Sequence, residues 1–328
     1  MVDVTVVLPI YNPLRKSETY LTDAIDSVLS QDYNSFELII VDDGSTEDCS
    51  KIIDKYKHCK NVKFFRKKNG GQSSARNFGA KLGSGEYLAF IDQDDVWYRN
   101  RLKETVRYFK RNQDNNCIMV YSDLDRIDAA SRIVCRSLLR SYKLGIHPKT
   151  DVSHILGMNA FVLPGTMLVK REQFLSIGGF NETLSGYEDD ELALRFFQKG
   201  GLFFIDKPLI QWRIYQQSYS YTRRMDESRL KYYKILTGSY HNDKDECAFW
   251  IRDSIAPRFF YEYINIYKVA LVRESKEQAM TAREGLRIVS KDLPFKKKIM
   301  SLGISAVPYS LARFIYIWRI HKMLRIRL

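Results

Sequence analysis

Short apolar runs alternate with helix-like patterns along the first part of the chain. Val4–Leu8 is a nearly continuous apolar run, which is typical of a strand buried on both faces. Apolar residues then recur at helical spacing from Leu21 to Leu29, and a second apolar run follows at Phe36–Val41. Strands that alternate with helices in this way predict a parallel α/β sheet over roughly the first 125 residues.

The same alternation continues beyond the second strand. Ser45-Thr46-Glu47-Asp48 matches a capping box and predicts the start of a helix. Further predicted elements are a strand at Val62–Phe65, a helix at Ser73–Lys81 and strands at Tyr87–Ile91 and Ile118–Ser122. The segment from Asp151 to Gln217 is less regular, and from about Thr222 onward the pattern becomes helical and basic. We therefore expect a large α/β domain followed by a helical region.

The composition fits a folded protein with an acidic partner. Of the 328 residues, 45% are hydrophobic, and the formal net charge is +13. This charge favours a nucleic acid, an anionic membrane or a phosphorylated substrate, without choosing among them. The five cysteines include no Cys-x-x-Cys pair, which favours reduced thiols over disulfides or a zinc site. Because the N-terminus also lacks the features of a signal peptide, we expect a cytoplasmic protein.

Two clusters of carboxylates follow predicted strands. Asp42 and Asp43 end the second strand, and Asp92, Asp94 and Asp95 follow the fourth. Ligands of open α/β sheets bind outside the carboxyl ends of the strands, where these clusters would meet. Such carboxylates repel each other unless a cation joins them, and Mg²⁺ is commonly held by one or two carboxylates with phosphate oxygens. The simpler alternative is a pair of turns, but two clusters at strand ends favour a metal and diphosphate site.

Two more segments carry candidate chemistry. Residues Asn69–Asn77 form a Gly-Gly loop that opens a helix, where backbone N–H groups and Arg76 could hold a phosphate. Taken alone, this segment is an ordinary loop. Glu188–Glu191 lie at the start of another predicted helix, where acidic residues commonly interact only with the helix dipole. The alternative is that one of these carboxylates is a general base that faces a metal-bound donor.

Together, these segments resemble glycosyltransferase family 2, whose members use nucleotide sugars and have the GT-A fold. The matching motifs, in the family's order over about residues 2–220, are Pro9-Ile-Tyr-Asn12, Val41-Asp-Asp-Gly-Ser45, Asn69-Gly-Gly, Ala75-Arg-Asn-Phe-Gly79, Phe90-Ile-Asp-Gln-Asp-Asp-Val-Trp97, Pro164-Gly-Thr166 and Gly178-Gly-Phe followed by Glu188-Asp189. The resemblance implies a GT-A-type, Rossmann-like, mostly parallel central sheet flanked by helices, with a C-terminal helical basic extension.

The resemblance also implies roles for individual residues. Donor contacts are implied for Pro9, Tyr11, Asn12, Asp42, Gly70, Arg76, Asp92, Asp94 and Trp97. Asp94 would also bind Mn²⁺ or Mg²⁺, Thr166 and Glu188 would lie on the acceptor side, and Asp189 would be the catalytic base. The implied reaction is an inverting transfer of a hexosyl or hexosaminyl group, in which Asp189 takes the proton of the acceptor hydroxyl. A UDP-sugar is the first expectation for the donor.

Three features depart from the family pattern. The loop from Asn12 to Leu21 is longer than usual and carries Arg15 and Lys16. Many relatives have Arg-x-His after the last core strand, but here the run is Trp212-Arg-Ile-Tyr215, so a histidine metal ligand is missing. The Gln-x-x-Arg-Trp of processive synthases is absent from the sequence as well. We therefore expect the addition of single sugars rather than polymerisation.

The C-terminal segment is strongly basic and partly apolar. Ser290–Leu328 holds nine Lys and Arg residues against one Asp, a net charge of +8, and Ile299–Trp318 is largely apolar. This pattern favours an interfacial anchor on anionic lipid at the inner face of the cell membrane. A helical subdomain packed on the catalytic domain and a true membrane span are the alternatives. Membrane attachment would suit a lipid-linked glycan acceptor, as in cell-surface polysaccharide assembly.

Other function classes fit the sequence less well. Nucleic acid is not expected as a partner, because the positive charge is concentrated in the tail while the predicted site is acidic. A dinucleotide-dependent oxidoreductase would need Gly-x-Gly-x-x-Gly after the first strand, where this chain has Pro9-Ile-Tyr-Asn12. A catalytically inactive sugar- or nucleotide-binding relative, acting as a membrane-associated partner, would be expected to lose Asp94 or Asp189, and both are present.

The predicted organisation follows from these patterns. A catalytic domain is predicted at 1–221, with a nucleotide-sugar half at about 1–125 and an acceptor half at about 126–221. A helical basic region is predicted at 222–328.

Overall fold

The computed structural model describes residues 2–15, 17–214, 223–243 and 248–313. The chain divides into two compact units, Met1–Ile155 with Asn159–Ser228 and Leu156–Met158 with Arg229–Leu328. The predicted domain boundary at 221/222, Lys16, Tyr215 and the tail from 314 onward lie outside the described residues.

The first unit is built on a mixed sheet of nine strands, counted over the described residues. They are β1 (Val4–Ile10), β2 (Phe36–Asp42), β3 (Val62–Arg66), β4 (Tyr87–Phe90), β5 (Val96–Trp97), β6 (Cys117–Ile127), β7 (Ile133–Cys135), β8 (Leu168–Lys170) and β9 (Gly201–Arg213). The order across the sheet is β3-β2-β1-β4-β8-β6-β9-β5, with β7 paired to β6. The block β3-β2-β1-β4 is parallel, β8 runs antiparallel to β4 and β6, and β9 is parallel to β6. The predicted α/β fold with a mostly parallel central sheet is therefore confirmed.

Helices flank this sheet. They are α1 (Glu18–Leu29), α2 (Ser50–Tyr56), α3 (Gln72–Leu82), α4 (Arg101–Arg111), α5 (Leu138–Tyr142), α6 (Ser153–Leu156), α7 (Arg171–Ser176) and α8 (Glu188–Phe197). β1 and β2 are buried along their whole length, as expected for central strands covered on both faces. On α3, a Cβ at Gly79 would lie 2.5 Å from Cγ1 of Val7, so glycine is what lets the helix pack this closely on β1.

Two local predictions need correction. The capping box at Ser45 does not form, because α2 begins at Ser50 and the Ser45 side chain is used in the turn after β2. There its Oγ accepts the N–H of Asn12 at 3.0 Å, while its own N–H donates to Asp42 Oδ1 at 2.8 Å. The predicted strand at Ile118–Ser122 lies in the first half of the longer β6, and the prediction omits β5 and α4 before it.

The second unit is mainly helical where it is described. From Arg223 onward the elements are α9 (Arg223–Ser239), β10 (Asn242–Asp243), β11 (Ala248–Phe249), a π-helical segment at Trp250–Ile255, α10 (Ala256–Val272), α11 (Lys276–Val289) and α12 (Phe295–Ala306). The first residues of α9, up to Ser228, belong to the first unit. Across the described ranges, no helix combines the length and the hydropathy that a membrane span requires. The predicted C-terminal helical extension is thus present.

Candidate functional site

The Gly-Gly loop is fastened to the end of β2 by Asp43. The Asp43 carboxylate is buried and accepts the N–H groups of Gly70 at 3.0 Å and Gly71 at 2.7 Å. Lys67 Nζ donates to the same carboxylate at 2.8 Å. These two backbone N–H groups therefore bind Asp43. Contact of Gly70 with a nucleotide-sugar donor stays a prediction.

Asp42 faces the opposite way, into a cavity of about 370 Å³. Its Oδ1 accepts the N–H of Ser45, and its Oδ2 lies 3.5 Å from Nε of Arg66. Nη2 of Arg66 also donates to the Ser45 carbonyl at 2.7 Å. The remaining lining residues are Thr46, Glu47, Asp48, Cys49, Ser50 and Ile53. The cavity thus offers a carboxylate beside a guanidinium, a combination that suits the donors and acceptors of a base or a ribose.

The end of β1 is tied to the same turn. Pro9 is buried within β1, whereas the Tyr11 side chain is largely exposed. Asn12 adopts a left-handed conformation with φ of 43°; its N–H donates to Ser45 Oγ, and its Oδ1 accepts the N–H of Thr46 at 2.8 Å. Nδ2 of Asn12 is buried and makes no hydrogen bond to any described residue. Because an unpaired buried donor is costly, this amide is a candidate contact for a ligand.

Arg76 joins the acidic loop after β4 to the acidic first turn of α8. It lies on α3, is 1% exposed, and places Nη2 2.5 Å from Asp92 Oδ1 and Nη1 3.1 Å from Glu188 Oε1. Gln72, one turn earlier on α3, donates to the same Glu188 oxygen at 2.6 Å. Burial alone would lower the pKa of Arg76, but the two carboxylates outweigh it and raise the pKa, so the guanidinium stays charged. The end of β4 and the start of α8 are therefore neighbours in space.

The loop after β4 brings three carboxylates together. The Asp92 side chain is 36% exposed, whereas Asp95 is buried and accepts the backbone N–H of Arg213 at 3.0 Å. Burial, and after it the charges of Asp94 and Asp92, raise the pKa of Asp95 well above its usual range. Nε of Arg213 donates to the carbonyl oxygen of Asp94 at 2.8 Å, so the loop backbone is held as well.

The first turn of α8 holds Glu188 and Asp189 in different surroundings. The Glu188 carboxylate is buried and already accepts from Gln72 and Arg76. Asp189 is only partly buried, and its Oδ1 accepts the N–H of Asp190 at 2.9 Å. Burial, with the charges of Asp190 and Glu188, raises the pKa of Asp189 well above its usual range. Asp189 is therefore suited to accept a proton, and contact of Glu188 with an acceptor stays a prediction.

The carboxylates of this loop fit a divalent cation whose coordination is completed by phosphate oxygens. In the part of the chain that the structure describes, no three His, Cys, Asp or Glu side chains are grouped so as to hold a metal by themselves. Asp92, Asp94 and Asp95 nevertheless repel each other, and after burial the charges of Asp94 and Asp92 are what raise the pKa of Asp95. Mg²⁺ commonly takes one or two carboxylates together with substrate phosphates. The carboxylates of this loop therefore fit a cation shared with a diphosphate, and not one that the protein alone would enclose.

Trp97 and Thr166 lie in the interior of the first unit. Trp97 is buried, and the Arg101 guanidinium stacks on its ring at 3.7 Å from the centroid. Thr166 is buried too, and its hydroxyl donates to the Leu163 carbonyl at 2.7 Å. Arg101 Nη2 donates to the Gly165 carbonyl at 2.7 Å and so fixes this turn. Sugar contact by Trp97 and acceptor contact by Thr166 stay predictions.

Two residues of the site are missing from the sequence prediction. Gln72 binds Glu188 from the position one helical turn before Arg76, and that spacing on α3 was a usable signal. Arg213 was noted only as part of a run without histidine, whereas the structure bonds it to Asp94 and Asp95. No local pattern indicates this second role, because the bond joins residues on β9 to a loop far away in the sequence.

Comparisons with known proteins agree with this fold. Residues 5–166 match the model of glycosyl transferase family 2, and residues 150–218 match a model described as the N-terminal domain of galactosyltransferase. The chain is 32% identical over 211 residues to an uncharacterized glycosyltransferase of Rickettsia bellii, a match that covers 64% of this chain and 29% of that protein. It is 35% identical over 116 residues to the minor teichoic acid biosynthesis protein GgaB of Bacillus subtilis, covering 34% of this chain and 12% of that one. The chain therefore spans less than a third of either relative.

Two solved structures share the architecture. TarS 1–349 of S. aureus in complex with UDP-GlcNAc has a TM-score of 0.66 at 19% identity, covering 98% of this chain and 92% of that one. The mannosyltransferase PcManGT of Pyrobaculum calidifontis, in complex with GDP-Man and Mn²⁺, has a TM-score of 0.57 at 16% identity, covering 98% and 86%. At these identities the likeness concerns the fold, and it confirms the GT-A-type prediction.

Proposed function

This chain belongs to glycosyltransferase family 2, and from that premise we propose that it is an inverting, metal-dependent, non-processive enzyme that transfers one sugar from a nucleoside-diphosphate donor to an acceptor hydroxyl. A UDP-sugar is the first choice of donor. The cavity beside Asp42 and Arg66 supports this choice, because it offers both hydrogen-bond donors and acceptors to a base or a ribose. Among the similar structures, TarS binds UDP-GlcNAc and PcManGT binds GDP-Man, so the base has to be measured.

The observation that carries this proposal is the contact of Arg76 with both Asp92 and Glu188. The strand-end carboxylates are the residues expected to face the donor, and the helix that carries Glu188 also carries Asp189. A single buried guanidinium links the two groups. The link supports one site in which a donor-binding edge and a candidate base for the acceptor lie side by side.

On the donor side, Asp94 would hold Mn²⁺ or Mg²⁺ together with the diphosphate, and Asp92 would contact the ribose or the sugar. A bound divalent cation offsets the negative charge that develops on the leaving nucleoside diphosphate. Asp92 keeps a fixed orientation because Arg76 holds its Oδ1 at 2.5 Å. Asp95 points inward to the backbone of Arg213, and it therefore serves the loop rather than the ligand.

On the acceptor side, Asp189 would take the proton of the attacking hydroxyl. The acceptor oxygen forms its bond to the anomeric carbon from the face opposite the diphosphate, whose bond to the same carbon breaks. A single displacement of this kind inverts the anomeric configuration. The raised pKa of Asp189 supports the assignment, because a carboxylate of higher pKa is a stronger base.

We further propose that the acceptor is a lipid-linked glycan and that the protein works on the inner face of the cell membrane. The name of the Bacillus subtilis relative, a teichoic acid biosynthesis protein, supports a cell-surface polymer. One face of α12 supports the proposed membrane binding. Its residues Phe295, Ile299 and Leu302, at positions i, i+4 and i+7, are 77%, 56% and 45% exposed. Apolar side chains on an exposed face beside basic residues are typical of helices that lie on anionic lipid.

The proposal is tested by thermal unfolding with UDP, GDP, dTDP, CMP and ADP, each with and without Mn²⁺. A ligand at about 100 times its Kd stabilises the native state by about 2.7 kcal/mol, which is measurable as a rise in Tm. We expect one nucleoside diphosphate to raise the Tm in the presence of Mn²⁺ and the Asp94→Ala variant to lose that rise. If no nucleotide shifts the Tm under any condition, the proposal is wrong. Nucleotide binding without transfer to any glycan acceptor would instead identify an inactive, binding-only relative.

A further inference from the structure

We propose that Arg213 is a positioning residue that sets the geometry of Asp94 and thereby the affinity for the divalent cation. The inference rests on the metal-dependent transfer proposed above. Arg213 ends β9, and its side chain is 0% exposed, so none of its bonds compete with bulk water. It is not expected to touch the substrate itself.

Arg213 grips the acidic loop at two consecutive residues. Its backbone N–H donates to Asp95 Oδ1 at 3.0 Å, and its side-chain Nε donates to the Asp94 carbonyl at 2.8 Å. The first bond turns the Asp95 carboxylate into the interior. The second holds the peptide group of Asp94, and with it the position from which the Asp94 side chain extends.

The other end of the guanidinium is anchored to two further elements. Nη1 donates to Ser131 Oγ at 2.8 Å and to the Asp128 carbonyl at 3.3 Å, both in the turn between β6 and β7. Nη2 lies 3.6 Å from Asp23 Oδ2 on α1, and the guanidinium stacks over the Tyr20 ring at 4.2 Å. One side chain thus clamps the acidic loop against α1 and the β6–β7 turn.

The chemistry of these contacts requires an arginine. A guanidinium presents five N–H donors in a fixed planar fork. Here Nε donates to a loop carbonyl and Nη1 to a hydroxyl, while Nη2 forms no hydrogen bond to a described residue and lies at ion-pair distance from the Asp23 carboxylate. A lysine ammonium is a single point with three donors, so it can hold one end of the clamp but not all of them. Groups that orient a metal ligand from behind typically change metal affinity by about 10- to 100-fold when they are altered.

The test is direct Mn²⁺ binding by the 328-residue chain, followed by the electron paramagnetic resonance signal of free Mn²⁺ in the presence of the nucleoside diphosphate that raises the Tm, with the same nucleotide without protein as the blank. Arg213→Lys is expected to weaken Mn²⁺ binding by about tenfold or more. The matched control is Arg171→Lys, because Arg171 also donates to backbone carbonyls, those of Ala80 and Lys81. It lies where β4 begins, at the end of the strands opposite to the acidic loop. The control should bind Mn²⁺ within about twofold of the wild type.

A second variant keeps the inference testable if Arg213→Lys does not fold. Asp23→Asn combined with Ser131→Ala loosens the outer anchors but leaves both bonds to the acidic loop, and we expect an intermediate loss of Mn²⁺ affinity, about two- to fivefold. A folded Arg213→Lys protein with wild-type affinity and only a lower Tm would overturn the inference and leave the proposed function intact. Where that protein does not fold, unchanged affinity in the double variant overturns it. Wild-type protein that binds no Mn²⁺ beyond the nucleotide blank, with the nucleoside diphosphate that raises its Tm, would overturn the proposed metal site and this inference together.

Discussion

At the scale of single residues, the site separates two adjacent carboxylates by their surroundings. Glu188 is buried and accepts hydrogen bonds from two side chains of α3, so its charge is used to hold α8 beside α3. Asp189, by contrast, is partly exposed, and its Oδ1 accepts the backbone N–H of Asp190 at 2.9 Å. Pairs of titratable groups whose environments differ in this way are commonly divided between structural and proton-transfer roles. We therefore propose Asp189, rather than Glu188, as the residue that takes the proton.

The pH dependence of transfer tests this assignment. Asp189 must be deprotonated to act as a base, and burial with the charges of Asp190 and Glu188 raises its pKa. The value of kcat/KM should therefore fall on acidification at a pH well above the usual range of an aspartate, near 3.9. Asp189→Asn should reduce kcat/KM by about 10²- to 10⁴-fold, remove this acid limb and leave the Tm within a few degrees of the wild type. Substantial transfer by the Asp189→Asn protein, or an acid limb near pH 4, would contradict the assignment.

At the scale of elements, the edge of the sheet opposite the site is stabilised by a buried carboxylate on β2. Glu37 Oε1 accepts from Thr5 Oγ1 at 2.8 Å and from the N–H of Ser84 at 2.6 Å, and its Oε2 accepts from Lys63 Nζ at 2.8 Å. It thereby links β1, β2, β3 and the turn before β4. Burial alone would raise the pKa of Glu37, but the hydrogen bonds of Lys63 and Ser84 outweigh burial and lower it to about 2.

This lowered pKa predicts how stability depends on pH. A carboxyl with a folded-state pKa of about 2, below its ordinary 4.5, stabilises the fold above pH 4.5 and loses this contribution as the pH falls toward 2. Glu37→Gln should therefore lower the free energy of unfolding by about 2 kcal/mol at pH 7, allowing for solvent screening, and by much less near pH 2.5. Urea denaturation at both pH values measures the difference. The exposed Asp114→Asn is the control, and an equal effect of Glu37→Gln at both pH values would refute the ion-pair explanation.

The elements also show which features the sequence can predict. β1, β2 and α3 follow from apolar runs and helical spacing, because central parallel strands are buried on both faces and leave a strong local signal. The placement of Asp42 and Asp92 at one edge follows from the same parallel arrangement. The clamp of Arg213 on Asp94 could not be predicted, since it depends on β9 returning to the sheet between β6 and β5. The distinct contacts of Asp42 and Asp43 could not be predicted either. Adjacent residues of a strand point to opposite sides, but what each side chain meets there depends on tertiary contacts.

At the scale of the whole molecule, positive and negative charge are used in different segments. The net charge is +13, yet the candidate site is built around Asp92, Asp94, Asp95 and Asp189. Much of the excess lies in Ser290–Leu328, whose net charge is +8. Within this segment the structure describes α12, on which the side chains of Phe295, Ile299 and Leu302 are exposed. An exposed apolar stripe beside lysines is a candidate for contact with a partner or with a lipid surface.

Binding to vesicles tests whether that surface is anionic lipid. Lys296 and Lys298 lie on the two sides of the stripe on a helical projection, so the face combines apolar insertion with attraction to negative headgroups. Each lysine near such a surface contributes about 1 kcal/mol, and each buried apolar side chain about 1.5–3 kcal/mol. We expect the full-length protein to sediment with vesicles that contain phosphatidylglycerol and only weakly with neutral phosphatidylcholine vesicles.

Two variants separate the contributions to this binding. Replacing Phe295, Ile299 and Leu302 by serine should weaken binding at least 100-fold, because burial of three apolar side chains in the headgroup region is lost. Lys296→Glu with Lys298→Glu should weaken it by about tenfold or more, and this loss should shrink as salt is added, since screening reduces the lysine contribution in the wild type. Met280→Ser, at an exposed apolar side chain on α11, is the control and should bind like the wild type. Unchanged sedimentation of the triple serine variant would show that α12 is not the membrane-binding face, whereas loss of binding in both α12 variants but not in the control would identify α12 as the part of this chain that binds anionic lipid.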